Sequence, residues 1–267
     1  MIASSVLLVA LNLAISQNGE PQSNEQILDR AQAAFQLGVK LRGTPEESKH
    51  FQLAADHYEQ LRRRSLQSPA LFLNLGNAYL LAGDIPEAIL TYRRGLQLNP
   101  NNLEMRANLA YARDQVVYSS PDSFARPPES LWPPWLPRWT PGMSLGATFL
   151  FYAISWIGLA HRMAFRPGSS PWLPGIGAAG VLCFAIVFFF QMRAEKTEAE
   201  HPAVVISADQ TYLHKGNHSL YSRAYDMALN RGVEARLLQV RGDWLQIELT
   251  GGQVGWVSRK KAIVDLP

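Results

Sequence analysis

The chain has 267 residues, enough for one large domain or roughly two to three small ones. Its formal net charge of +3 is small, so no nucleic acid is expected as a partner. The single cysteine, Cys183, excludes a disulfide within the chain and a metal site built from several cysteines. Since the motifs of the chain also give no nucleotide or metal site, we expect no metal and no cofactor.

Residues 1–16 form a short apolar stretch in which Ala14-Ile15-Ser16 fits a cleavage site of the small-x-small type. The stretch is too short to cross a bilayer, so it predicts a signal peptide. The alternative is a hydrophobic N-terminal helix.

Residues 24–118 contain a helical repeat. The segment Asn74–Tyr79 recurs as Asn108–Arg113, 34 residues further along the chain. Ser68-Pro69 is a helix start signal, with a capping side chain followed by proline in the first turn. Gly83 and Asp84-Ile85-Pro86-Glu87 predict the turn and the capping box that begins the next helix, and Asn99-Pro100 ends that helix.

This pattern resembles the tetratricopeptide repeat (TPR) family over residues 69–102. An earlier, less regular unit includes a second capping signal at Thr44-Pro45-Glu46-Glu47, and residues 103–117 fit a final half-unit. We therefore expect roughly two and a half repeats, near the minimum for a stable helical solenoid. The resemblance is carried by Phe72, Leu75, Gly76, Tyr79, Ala88, Tyr92, Gly95 and Pro100.

The TPR resemblance also implies a concave groove, lined by the first helix of each unit, that binds a partner protein. Its lining would include Asn74, Asn77, Asn108 and Tyr111. The alternative is that these are ordinary solvated polar positions, since a fold does not locate a site. If the groove binds, Asn74→Ala with Asn108→Ala should weaken partner capture without unfolding the domain.

Residues 119–141 form a spacer rich in proline and tryptophan, which cannot continue a helix or a sheet. Two uncharged runs follow, at 142–160 and 173–192, and each is long enough to cross about 30 Å of hydrocarbon. The short connection between them predicts a transmembrane hairpin with both ends on one side. Together with the signal peptide, this places the soluble domains outside a bacterial cytoplasmic membrane.

The segment Gly175–Gly180 matches G-x-G-x-x-G, but no strand precedes it and it opens an apolar run. We interpret its glycines, with Gly142 and Gly146, as positions that let two helices approach closely. Cys183 is interpreted as a small side chain buried in lipid.

Residues 201–267 change to an alternating period. Leu245, Ile247 and Leu249 alternate with polar residues, and Gly-containing turns at Arg241-Gly242-Asp243 and Thr250-Gly251-Gly252 flank them. Short strands with such turns predict a small β-barrel.

This part resembles the bacterial SH3-like (SH3b) domain through Gly232-Val233-Glu234, the RGDW turn ending at Trp244, and Gly255-Trp256-Val257. Tyr212, Tyr221 and Trp244 are candidates for a peptide-binding cleft, whereas Trp256 is expected in the barrel core. His214 and His218 lie in a predicted loop, so surface polarity explains them better than a metal pair.

The sequence contains no G-x-S-x-G elbow, no P-loop and no H-E-x-x-H motif, and its one thiol lies in an apolar run. We therefore expect no enzymatic activity. The fold class predicted is a multi-domain membrane protein with an α-helical TPR solenoid, a transmembrane α-hairpin and a small all-β SH3-like barrel.

This domain order resembles the BatE-type proteins of bacterial aerotolerance (Bat) operons. The resemblance implies a membrane-anchored scaffold whose partners are membrane proteins with von Willebrand factor A domains, regulated by a MoxR-type ATPase, with a link to oxidative-stress tolerance. Two alternatives stay open: a peptidoglycan-binding module acting through the SH3-like domain, and a purely structural membrane anchor.

Overall fold

The computed structural model describes residues 22–119, 140–165, 172–200 and 203–264. The predicted signal peptide, almost all of the spacer and half of the loop between the apolar runs lie outside these residues. The chain divides into two compact units, Met1–Asp84 and Ile85–Pro267.

The described residues of the first unit form three helices, α1 (Asn24–Lys40), α2 (Glu47–Arg63) and α3 (Pro69–Ala82). Phe51 of α2 fills the space between α1 and α2, with its ring centroid 5.1 Å from that of Phe35. A Cβ on Gly38 would lie 2.9 Å from Phe51 Cε1, so only glycine permits this approach. Ser48 Oγ donates a hydrogen bond of 2.8 Å to Ala82 O and so joins α2 to the end of α3.

The capping predictions for this unit were partly confirmed. Ser68 Oγ accepts from Leu71 N at 3.1 Å, with Pro69 in the first turn, and Gly83 ends α3 in the left-handed conformation at φ +84°. The predicted cap at Thr44 was wrong, because Thr44 Oγ1 donates instead to Leu41 O at 2.7 Å. Glu47 Oε2 accepts from Gly43 N at 2.7 Å and stabilises this turn.

The second unit begins with α4 (Ile85–Leu98) and α5 (Leu103–Asp114). Asn102 caps α5 by accepting from Met105 N at 2.9 Å. Tyr92, Ile89 and Met105 are fully buried. Helices α1 to α5 fall where the repeat pattern placed them.

Two long helices follow, α6 (Pro141–Phe165) and α7 (Trp172–Glu200). Over Gly142–Ala164 and Pro174–Met192 they are long and apolar enough to cross a membrane. Both are longer than the apolar runs, since good helix formers continue α7 through its charged end. Gly177 allows close contact, because a Cβ there would lie 2.6 Å from Ser155 N, and Gly180 faces Phe151. Nothing lies within 4 Å of such a Cβ at Gly146 or Gly175, so only part of the close-packing prediction was confirmed.

Residues 203–264 then form seven strands: β1 (Ala203–Ile206), β2 (Thr211–His214), β3 (Arg223–Leu229), β4 (Glu234–Arg241), β5 (Trp244–Leu249), β6 (Val254–Ser258) and β7 (Ala262–Val264). They make one antiparallel sheet in the order β3-β2-β6-β5-β4-β1-β7. The predicted strand and turns were confirmed. The predicted barrel is not closed, because β3 and β7 do not pair with each other and remain the two edges of the sheet.

The aliphatic core of the sheet lies on one face. Leu245, Ile247 and Leu249 of β5 are buried, whereas the residues between them are half-buried. Leu213 belongs to this core face, where a Cβ on Gly255 would lie 2.7 Å from its own Cβ. Polar and aromatic side chains lie on the opposite face of the sheet.

Candidate binding surfaces

The four predicted groove residues lie on two helices that belong to different units. Asn74 and Asn77 are three residues apart on α3 and are half-buried. Asn108 and Tyr111 are three residues apart on α5, where Tyr111 is 58% exposed. That the two pairs line one groove stays a prediction.

Asn108 is part of the packing of its own unit. It shares a side-chain hydrogen bond with the hydroxyl of Tyr92, whose ring is fully buried between α4 and α5. Burial raises the pKa of Tyr92 well above its usual value, so the hydroxyl stays protonated and needs hydrogen-bond partners. Of this pair on α5, Tyr111 is therefore the better candidate for contacting a partner.

Asn108→Ala is expected to lower the free energy of unfolding by about 1 to 2 kcal/mol, because it takes a hydrogen bond from a buried hydroxyl. Thermal unfolding of the full chain in detergent measures the loss. Tyr111→Ala on the same helix is the control and should change stability little. If Asn108→Ala with Tyr92→Phe costs as much as the two single changes added, the bond does not couple these residues.

A buried carboxylate joins α4 and α5 to the sheet. Glu234, at the start of β4, has a side chain only 5% exposed. Arg113 Nε donates to Glu234 Oε1 at 2.6 Å, and Arg113 Nη2 donates to Oε2 at 2.9 Å. Arg93 Nη1 donates to the same Oε2 at 2.6 Å. We call this arrangement of Arg93, Arg113 and Glu234 the carboxylate clamp.

The two arginines decide the charge state of the clamp. Burial alone would raise the pKa of Glu234, but the hydrogen bonds and positive charges of Arg113 and Arg93 outweigh it and hold the pKa below the usual value. The side chains of Arg93 and Arg113 are 25% and 31% exposed, so the pairing is well shielded from solvent. Glu234 is thus ionised and paired near neutral pH.

Close packing surrounds the clamp. A Cβ on Gly232 would lie 2.5 Å from Val116 Cγ2 and 3.5 Å from Ile85 Cγ2, so the turn before β4 contacts the start of α4 and the segment that follows α5. Asn230 Nδ2 donates to Val117 O at 2.9 Å, and Ser119 Oγ donates to Ala228 O. Helices α4 and α5 and the sheet therefore share an interface built from charge, packing and hydrogen bonds.

The clamp is not predicted by any of the sequence patterns. Glu234 was noticed only within the Gly232-Val233-Glu234 motif of the SH3-like resemblance. One signal was available, since an acidic residue beside apolar neighbours at a strand start needs a cation if it is buried. No local spacing points to Arg93 or Arg113, which lie 141 and 121 residues away in the chain.

A second surface lies on the sheet face opposite the aliphatic core. Trp256 of β6 pairs directly with His214 of β2 and with Gln246 of β5, so these side chains share that face. Trp244 lies on the same face, and its ring is 5.4 Å from the ring of His214. Trp256 is buried as expected, at 7% exposure, but on this face rather than in the aliphatic core.

Two arginines complete this surface. Arg223, paired with His214, holds its guanidinium carbon 3.6 Å from the ring centroid of Tyr212. Arg241, paired with Trp244, lies 5.6 Å from the ring centroid of Trp256. These are cation–π arrangements. We call the set Tyr212, His214, Arg223, Arg241, Trp244 and Trp256 the aromatic–arginine face.

The structure brings the three residues predicted for the SH3-like cleft together around His214. Its Nδ1 lies 2.9 Å from Tyr221 O, its ring contacts Trp244, and Tyr212 is two residues earlier on β2. The sequence predicted His214 in a loop, as a polar surface residue, but it is the last residue of β2. The ring of Tyr221 packs over Gly216, where a Cβ would lie 2.6 Å from Tyr221 Cδ2.

Comparison with known proteins supports the helical part of this description. Residues 69–102 match the tetratricopeptide repeat family. The match covers α3, α4 and the turn between them, which is one repeat of the chain. No curated protein matches the chain. A tetratricopeptide repeat suggests protein–protein interaction as the role of this region.

Proposed function

We propose that this protein is a non-catalytic interaction scaffold anchored in a membrane by the α6–α7 hairpin. The observation that carries the proposal is the repeat match at residues 69–102, because repeats of this family suggest protein–protein interaction. Membrane anchoring is supported by the outward apolar side chains of the hairpin, such as Phe149, Ile157 and Leu182, each more than 60% exposed.

The carboxylate clamp supports a two-pass topology. Arg113 precedes the apolar hairpin in the chain and Glu234 follows it, yet their side chains are hydrogen-bonded. Both flanks must therefore lie in one aqueous compartment if α6 and α7 cross a bilayer. We place that compartment outside a bacterial cytoplasmic membrane, in keeping with the interpretation of residues 1–16 as a signal peptide.

The finer assignment is a BatE-type scaffold with an SH3-like C-terminal domain and partners that carry von Willebrand factor A domains. The antiparallel sheet and its short turns support the SH3-like part. The clamp also favours a second function, a purely structural anchor, because it braces helices and sheet against each other. Capture of a partner protein distinguishes the two.

The test uses the full chain in native membranes with a photo-crosslinking amino acid at Tyr111. We expect a protein partner to be captured there and not from Leu98, a residue of α4 that is 46% exposed. Recovery of the bait alone would contradict the scaffold and favour the structural anchor. Pelleting with purified cell walls would favour the peptidoglycan-binding alternative.

The topology is tested by single-cysteine labelling in a Cys183→Ala background. Ala107→Cys on α5 and Ser219→Cys in the β2–β3 loop are both at exposed positions. A membrane-impermeant maleimide should modify both from the same side of sealed vesicles, and permeabilised vesicles provide the control. Modification from opposite sides would exclude the hairpin.

A further inference from the structure

We propose that the aromatic–arginine face binds an acidic peptide segment of a partner protein, with peptide carboxylates paired to Arg223 and Arg241. The inference deepens the proposed interaction function, and it concerns a surface separate from the repeat helices. It rests on how the two guanidinium groups are held, on the charge balance of the sheet and on a strand edge that no other described strand covers.

The guanidinium groups are held in place by aromatic rings, and no carboxylate of the described residues pairs with them. Arg223 is stacked 3.6 Å from the Tyr212 ring centroid, and Arg241 lies 5.6 Å from that of Trp256. A stacked guanidinium keeps its in-plane N–H donors free and loses little rotamer freedom when it binds. Among the described residues neither forms a salt bridge, whereas Arg236, which lies on β4 like Arg241, is 3.7 Å from Glu248.

The charge of the sheet favours an acidic ligand. Residues 203–264 contain eight lysines and arginines but five aspartates and glutamates. Two of those acids are already used, Glu234 in the carboxylate clamp and Glu248 by Arg236. An anionic segment is therefore complementary to the excess positive charge of these residues, and bidentate arginine–carboxylate pairs would fix its position.

A free strand edge favours a peptide over a lipid surface. β3 pairs only with β2 among the described strands, so the backbone on its other side can accept an added strand. Ser119 contacts β3 at Ala228, near the C-terminal end of the strand. The N-terminal end, which carries Arg223, therefore remains for an added strand. Leu220, 88% exposed beside Tyr221, offers an apolar contact next to the same end.

The test uses the full chain in detergent micelles and a short fluorescein-labelled peptide of alternating glutamate and tyrosine. We expect saturable binding, and Arg223→Gln with Arg241→Gln should weaken it roughly tenfold or more, since two charge-assisted hydrogen-bonded pairs are lost. The matched control, Arg259→Gln with Lys260→Gln, removes the same charge from an exposed turn and should leave affinity within about twofold. The same peptide with glutamine in place of glutamate should not bind.

A second pair of variants keeps the test informative if the glutamine changes disturb folding. Arg223→Lys with Arg241→Lys keeps the charge but loses the stacked, bidentate geometry, so affinity should fall between wild type and the glutamine variant. Equal weakening by the Arg259 and Lys260 control would overturn the proposal by showing non-specific attraction. The proposal would also be overturned if the peptide did not bind while phosphatidylserine-rich vesicles bound in a way that depends on Arg223 and Arg241. Partner capture through Tyr111 with no peptide binding here would remove this inference and leave the proposed function intact.

Discussion

Replacing both Arg93 and Arg113 by alanine is expected to lower the free energy of unfolding of the second unit by about 3 kcal/mol or more, because Glu234 would remain buried without a cation. The loss should appear as faster hydrogen exchange in α5 and in β1 and β4, and as a lower thermal midpoint of the full chain. Hydrogen-exchange mass spectrometry of the protein in detergent measures both the location and the size of the effect.

The matched control for this prediction is Arg236→Ala, which removes an arginine whose side chain is 51% exposed and should cost less than about 1 kcal/mol. Glu234→Leu should cost less than the double arginine change, since both arginines can turn toward water. A charge exchange, Arg113→Glu with Glu234→Arg, should recover part of the stability that each of these two changes removes when made alone. A double arginine variant as stable as Arg236→Ala would show that the clamp contributes nothing.

The clamp also predicts an acid dependence. The pKa of Glu234 is lowered in the folded state, because Arg113 and Arg93 outweigh the opposing effect of burial. Its contribution is therefore fully present above the pKa that the carboxyl has in the unfolded chain. It is lost as the pH falls through the lower, folded value. Glu234→Gln should weaken the dependence of the free energy of unfolding on pH in the acid range and leave that dependence unchanged near neutral pH.

Gly232→Ala is expected to cost about 3 kcal/mol for two reasons. The residue has φ +90°, where an L side chain costs about 1 to 2 kcal/mol. Its new Cβ would also lie 2.5 Å from Val116 Cγ2, and overpacking of this kind costs about 1 to 3 kcal/mol. Thermal unfolding together with hydrogen exchange at the turn before β4 measures the effect.

Gly252→Ala separates the two causes. Gly252 has φ +82°, but nothing lies within 4 Å of a Cβ built there, so only the backbone cost should remain. Val116→Ala combined with Gly232→Ala should recover the packing part and not the backbone part. Equal losses for Gly232→Ala and Gly252→Ala would show that contact with Val116 does not limit this site.

Local patterns in the sequence were sufficient to predict most of the elements. The cap at Ser68 and the left-handed Gly83 bound α3, two uncharged runs lie within α6 and α7, and alternation at Leu245 to Leu249 defines β5. These features depend on residues a few positions apart, so periodicity and capping chemistry suffice. The same patterns predicted a closed barrel, but closure depends on whether distant strands meet, and β3 and β7 do not.

By itself, the sequence determined the helical repeat, the two apolar helices and the strand from Leu245 to Leu249, because each follows from interactions between neighbouring residues. Only the tertiary structure decided which charges and rings meet. It placed Glu234 between Arg93 and Arg113, and it paired Asn108 with the buried hydroxyl of Tyr92. It also brought Tyr212, Trp244 and Trp256 together on the face of the sheet opposite the aliphatic core. These pairings join residues on different helices and strands, and their partners are selected by burial and geometry, which no local spacing encodes.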